Sequence, residues 1–288
     1  MRDGAERRPA TPVPGAWRAA ADRLLARAPA LHAAALRLVR SPDLGKRVFV
    51  ALVERGDVVF DVGANRGHYT ALFARLAGRG GAVHAFEPVP PTALHLAAAL
   101  RAQGIGNVAV NATALGETAG ELPLFVPGED FGQASLARHG VGSWAAATTV
   151  QTYRAPVETL DGYARRLALS RLDFVKCDVE GAELPVLRGG TSTLRAFAPL
   201  LYLEVCADWT GAFGYQPQAV PEHLRPLGYT DFYLARSPAE GGVRRLTDAA
   251  AELSPNRLRG SADLLCATPA HHSRLHRLAS RLGGLRWD

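Results

Sequence analysis

The residues of this 288-residue chain best placed for chemistry are acids at the ends of short apolar runs. In Val58-Val59-Phe60-Asp61-Val62-Gly63-Ala64-Asn65-Arg66-Gly67 an apolar run carries an acid and breaks into a loop bounded by two glycines. Glycines at such a turn let a ligand approach the backbone, and the free N–H groups of the helix that follows, read over 68–77, face it. Further on, Ala82-Val83-His84-Ala85-Phe86 ends on Glu87, twenty residues beyond Gly67, where an acid can accept both hydroxyls of a ribose. Together these signals describe a site for an adenosine-bearing ligand.

The loop discriminates among such ligands. It is one residue too short for G-x-G-x-x-G and lacks the central glycine at which a pyrophosphate meets bare backbone. Asp61 would repel a phosphate and can pair, directly or through water, with an ammonium group. The sign of that charge favours S-adenosylmethionine over a nicotinamide dinucleotide. A nicotinamide-dependent oxidoreductase is the runner-up reading, and a cofactor-binding partner protein without catalysis is the third.

A second concentration of acids is Asp173-Phe-Val-Lys-Cys-Asp-Val-Glu-Gly-Ala-Glu183. In a strand of period two, Lys176 and Asp178 share a face, and Asp178 ends the strand at a ligand crevice. Clustered carboxylates are costly unless paired or functional. Lys176 is one of only two lysines, with Lys46, and its partner is Asp178 or Glu204 of the next strand. A structural ion pair and a catalytic group both fit this pattern.

The elements that must position these residues read as βαβ units of a parallel sheet. Strands are expected near 57–62, 82–87, 107–112, 172–178 and 199–205, and helices near 67–77 and 91–103. Between the third and fourth strands the alternation fails: 120–126 and 150–156 read as added strands around a Gly- and Ala-rich loop, 127–149, followed by a helix over 158–169. After the fifth strand comes a helix over 217–227, and then 229–235 and 262–268 read as an antiparallel edge pair. Residues 1–16 read as a disordered tail, 17–54 as a helical segment outside the core through which copies of the chain could pair, 55–270 as the main domain and 271–288 as a basic tail.

Composition removes several classes. No apolar stretch approaches the roughly 18 residues of a membrane helix, and the N-terminus lacks the apolar core of a secretory signal, so a soluble, cytoplasmic protein is expected. Cys177, Cys206 and Cys266 sit inside apolar runs, which implies neither disulfides nor a zinc site. The net charge is +6, but the arginines are scattered and no aromatic-basic strip marks a nucleic-acid partner.

Six motifs, Phe60-Asp-Val-Gly-Ala-Asn-Arg-Gly-His-Tyr-Thr70, Phe86-Glu-Pro88, Ala114-Leu-Gly-Glu117, Thr159-Leu-Asp161, Asp173 to Glu183 as given above, and Leu203-Glu-Val205, occur in the order and spacing of the FkbM-type S-adenosylmethionine-dependent methyltransferases, which this chain resembles over about 55–207. The departures are Arg66, where such proteins often carry a small or apolar residue, and Cys177, where Ile is usual. The resemblance implies the class I methyltransferase fold, a Rossmann-like α/β architecture. Its sheet is mainly parallel and seven-stranded with an antiparallel last strand and helices on both faces. It also implies methyl transfer to a hydroxyl of a small molecule, a secondary metabolite or a sugar.

It further implies roles. Gly63, Asn65, Gly67 and Tyr69 would surround the methionine part of the cofactor and Asp61 its amine; Glu87 and Pro88 would hold the ribose; Ala114 and Leu115 would lie along the adenine edge; Asp178 would border both cofactor and acceptor. Methyl transfer is an in-line displacement that needs an aligned acceptor oxygen and a group to take its proton. Asp178 is the first candidate for that group, with Glu180 and Glu204 behind it and Lys176 as partner. A divalent metal on Asp178 and Glu204 is an option ranked below a metal-free site, because no carboxamide ligand is evident. His139 could reach the acceptor from its loop, and Trp144, Trp209, Phe213 and Tyr215 could line its pocket.

Overall fold

In the computed structural model, neighbouring residues of the apolar runs divide between two buried clusters, as a sheet covered on both faces requires. Phe60 and Val62 pack in one cluster with Leu201, Leu203 and Val205, whereas Val59, Leu200 and Tyr202 pack in the other with Phe49 and Phe73. The structure describes residues 43–140, 143–236, 242–254, 256–258 and 260–282. The tail expected over 1–16, the helical positions before 43 and any pairing of copies through them lie outside the described residues.

The strands are β1 (Val58–Val62), β2 (Ala82–Phe86), β3 (Val108–Asn111), β4 (Ala114–Leu115), β5 (Gly120–Pro127), β6 (Val150–Glu158), β7 (Phe174–Cys177), β8 (Leu200–Cys206), β9 (Asp231–Ala235), β10 (Val243–Arg245) and β11 (Ser261–Ala267). The main sheet runs β10-β9-β11-β8-β7-β1-β2-β3, and β4-β6-β5 form a small second sheet. The expected parallel core and antiparallel last strand are present, with two corrections. The described sheet has eight strands, because β10 pairs antiparallel with β9. The last strand is no edge: β11 inserts between β8 and β9, antiparallel to both.

Helices α1 (Leu44–Leu52), α2 (Thr70–Ala77), α3 (Pro90–Ala102), α4 (Leu160–Arg166), α5 (Glu183–Arg188), α6 (Thr191–Phe197), α7 (Ala219–Leu224) and α8 (His272–Leu282) flank the sheet. Asp43 caps α1 by accepting from the Lys46 N–H at 3.0 Å, and Thr159 caps α4 in the same way through Gly162. The boundaries expected at 54 and 271 cut through packed structure. Phe49 of α1 is fully buried, and Leu275 and Leu278 of α8 join the same cluster. Arg274 of α8 also donates bidentately to Asp57, at 2.8 and 2.9 Å, just before β1. Among the described residues no helix is long and apolar enough to cross a membrane.

Candidate active site

The parallel register sets Val62 beside Phe86, so the turns after β1 and β2 open on the same edge. Four donors of the turn after β1 are already bonded, three of them to the end of β2. Gly63 and Ala64 N–H donate to the Phe86 carbonyl at 3.1 and 2.9 Å, Gly67 N–H donates to Ala64, and Asn65 N–H donates to Glu87 Oε2 at 2.8 Å. Four N–H groups ahead of α2 are therefore already bonded within the protein. Gly63 has φ +77°, and a Cβ there would lie 2.9 Å from the carbonyl carbon of Asp178. Its bare backbone admits the neighbouring strand end.

A cavity of about 530 Å³ opens on this turn. Of the residues expected at a cofactor, Gly63, Asn65, Tyr69, Glu87, Pro88, Ala114, Leu115 and Asp178 border it, as do Lys176 and Glu180. Asp61 and Gly67 do not. Asp61 is fully buried behind the turn, where its Oδ2 accepts from Thr70 Oγ1 at 2.6 Å at the start of α2. That hydrogen bond ties the turn to the helix. Gly67 packs against Leu96 of α3, which leaves no room for a side chain. Glu87 takes the N–H of Asn65 on one oxygen and that of Val89 on the other, and burial pushes its pKa up to about 7 against those two donors.

Part of the wall was not legible beforehand. Phe131, Ser135 and Leu136 reach the cavity because Ser135 bridges to Phe125 of β5, folding the loop inward. Only the interruption of the βαβ pattern marked this stretch, with nothing to indicate which residues turn in.

At the floor, Cys177 pairs with Leu203, which brings Asp178 level with Glu204 just past the end of β7. The buried Lys176 ammonium lies 3.1 Å from Asp178 Oδ2 and 3.7 Å from Asp61 Oδ1, and it donates to the Gly63 carbonyl at 3.0 Å. Burial works against this charge, but the two carboxylates outweigh it and hold the Lys176 pKa above its usual value. Burial likewise works against ionised Asp178, yet Lys176 and a hydrogen bond with Glu204 keep its pKa low. Glu204 and Glu180 are pushed up, first by burial and then by the charge of Asp178, to about 10 and about 9. The arrangement thus contains one firmly ionised acid flanked by two acids that hold their protons at neutral pH.

The turn after β7 is braced from several sides. Glu180 sits at φ +56°, and its carbonyl accepts from Ser135 Oγ at 3.1 Å. Glu183 Oε1 accepts from Val179 N–H, and Tyr215 donates to the Gly181 carbonyl at 2.8 Å. Tyr215 is therefore a brace for the turn, and with Trp144, Trp209 and Phe213 it borders neither cavity described here. Trp144, Trp209 and Phe213 surround His139, with ring centroids 5.3, 5.7 and 6.3 Å from it. His139 is bonded to Ser135 Oγ at 2.9 Å and pins the loop; it also lines neither cavity. Cys177, Cys206 and Cys266 are unpaired and buried.

A second cavity of about 310 Å³ lies beyond this floor, bordered by Asp43, Tyr202, Glu204, Arg236 and Asp263. Tyr69, Lys176 and Asp178 border both cavities.

A family model described as the methyltransferase FkbM domain matches residues 61–230. Over 54 residues the chain is 56% identical to the 31-O-demethyl-FK506 methyltransferase FkbM of Streptomyces tacrolimicus, a stretch that spans 18% of this chain and 20% of that protein. Among solved structures, the chain is similar to the methyltransferase FkbM of Methylobacillus flagellatus KT, at 16% identity over 81% of this chain and 57% of the other, with a TM-score of 0.44. It is also similar to a SAM-dependent methyltransferase of Aquifex aeolicus, at 13% identity over 78% of this chain and 88% of the other, with a TM-score of 0.42.

Proposed function

This chain belongs to the FkbM family of S-adenosylmethionine-dependent methyltransferases and has the class I fold, and on that premise we propose that it transfers the donor's methyl group to a hydroxyl of a small molecule. The observation that carries this reading is the shared wall of the two cavities, formed by Tyr69, Lys176 and Asp178. In this reading the larger cavity takes the donor. Glu87 accepts from the ribose hydroxyls with its remaining lone pairs, Ala114 and Leu115 lie along the adenine, and Gly63 and Asn65 border the methionine part. The smaller cavity takes the acceptor. The name of the Streptomyces tacrolimicus relative puts its methyl group on an oxygen, which supports the same choice here.

The reaction asks little covalent chemistry of the protein. The acceptor oxygen bonds to the methyl carbon in line with the carbon–sulfur bond, whose electron pair stays on sulfur to leave S-adenosylhomocysteine. The hydroxyl proton passes to the carboxylate cluster, with Asp178 its first receiver because Lys176 keeps it ionised. Lys176 is a positioning residue: it fixes Asp178 against the Gly63 carbonyl and neutralises part of the buried charge.

The test is to incubate the chain with methyl-deuterated S-adenosylmethionine and a panel of hydroxylated acceptors, sugars and macrolactones included, and to locate the label by mass spectrometry and NMR. Label on an oxygen supports the reading; label found only on nitrogen or carbon overturns it.

A further inference from the structure

We infer that the methyl acceptor carries a carboxylate, as in a hydroxy acid or a uronic acid, and that Arg236 holds it at the β9 end of the smaller cavity; this rests on the reading of that cavity as the acceptor's. Arg236 borders the cavity with Tyr202, Glu204 and Asp263. It is half-buried, and its Nε is buried without a hydrogen-bond partner. The acids around the cavity are engaged elsewhere. Asp178 lies 3.1 Å from the Lys176 ammonium, Glu204 is bonded to Asp178, Asp263 accepts from Tyr202 at 2.7 Å, and Asp43 accepts from the Lys46 N–H at 3.0 Å. A buried N–H left alone costs on the order of 1–3 kcal/mol. Guanidinium presents its Nε–H and one terminal N–H as parallel donors, spaced to meet the two oxygens of a carboxylate. One side-on carboxylate therefore satisfies the orphaned donor and matches the charge.

Strand register sets this anchor against the reacting end. Ala235 stands opposite Asp263, and Asp263 opposite Glu204. Because β8 and β9 are both antiparallel to β11, they run parallel to each other, and Arg236, the residue after β9, emerges on the edge of the sheet where β7 ends at Asp178. Two strand spacings, about 10 Å, separate β9 from β8, and the arginine side chain covers part of that span. What remains suits a molecule whose carboxylate and reacting hydroxyl are a few bonds apart, as across one sugar ring. The charge balance admits an anion. Lys176 offsets Asp178, Glu204 holds its proton, and burial lifts Asp263 to about 6. With the carboxylate fixed at Arg236, only a hydroxyl at the matching distance reaches Asp178, so the same contact that binds the acceptor also selects which oxygen is methylated.

The test is calorimetric titration of the full chain, with S-adenosylhomocysteine present, by a panel of uronic acids and hydroxy acids, each paired with its primary amide. Acids are expected to bind about tenfold or more tighter than their amides, with the preference lost in Arg236→Gln and partly kept in Arg236→Lys. Methyl transfer from labelled S-adenosylmethionine to the same pairs should follow the same order in kcat/KM. The inference is overturned if wild type prefers no acid of the panel over its amide, or if the preference persists in an Arg236→Gln variant shown to be folded by its binding of S-adenosylhomocysteine. Either result leaves the methyl-donor reading standing. A wild-type chain that binds no S-adenosylhomocysteine would instead overturn that reading, and acids bound through Arg236 yet never methylated would overturn the assignment of the acceptor to this cavity.

Discussion

Replacing Gly63 by alanine tests how tightly the cofactor turn is built against the acid cluster. Two costs add. At φ +77° an L-residue is strained by about 1–2 kcal/mol. The new methyl group would lie 2.9 Å from the Asp178 carbonyl carbon and overlap its oxygen, and both belong to backbone that cannot rotate away. Forcing buried backbone apart adds about 1–3 kcal/mol. The sum, about 2–5 kcal/mol, lowers Tm by roughly 5–15 °C for a domain of this size. Gly228→Ala is the control, because Gly228 has φ +97° but nothing within 4 Å of the added carbon, so only the strain is paid. Denaturant unfolding of both variants separates the two costs. A loss for Gly63→Ala no greater than for Gly228→Ala would refute the claim that the two site segments are in direct backbone contact.

Two further perturbations probe the charges. Glu204 holds its proton in the folded, metal-free chain up to about pH 10, against an ordinary value of 4.5, so between those limits unfolding releases a proton and stability falls as pH rises. The slope is about 1.4 kcal/mol per pH unit; Glu204→Gln, which mimics the protonated acid, should remove it, visible as a gap in Tm between variant and wild type that widens from pH 6 to pH 8 in chelator. Equal slopes in the two proteins would contradict the placement of that proton. Arg274→Ala strips the main partner from buried Asp57 and should destabilise the chain by about 3 kcal/mol, read by urea unfolding at neutral pH, whereas a loss within about 0.5 kcal/mol would mean α8 is not clamped to β1.

Local pattern made the parallel core visible, because buried strands such as Leu200–Cys206 are nearly continuous apolar runs and the helices between them are periodic. It could not reveal β10, since Val243–Arg245 carries two exposed arginines and no periodic signal. The basic composition of α8 reads as a tail because its two buried leucines are few and Arg274 finds Asp57 across 217 residues of chain. At the site, spacing placed Glu87 and Asp178 at the cavity, and period two placed Lys176 beside Asp178. For Asp61 the sequence records the sign of the charge but not that Thr70 and Lys176 enclose it. The aromatics of 144–215 suggested a pocket; their contacts with His139 and Gly181 make them supports.

The central claim, that the turn after β1 and the acid after β2 together hold S-adenosylmethionine, is tested most directly by calorimetric titration of S-adenosylhomocysteine into wild type and Glu87→Ala. Removing a carboxylate that accepts from Asn65 and Val89 and faces the cavity should weaken binding about tenfold or more. One site per wild-type chain with that loss in the variant is the predicted result. A wild-type chain that binds no S-adenosylhomocysteine, or a variant that binds it equally well, would contradict the account.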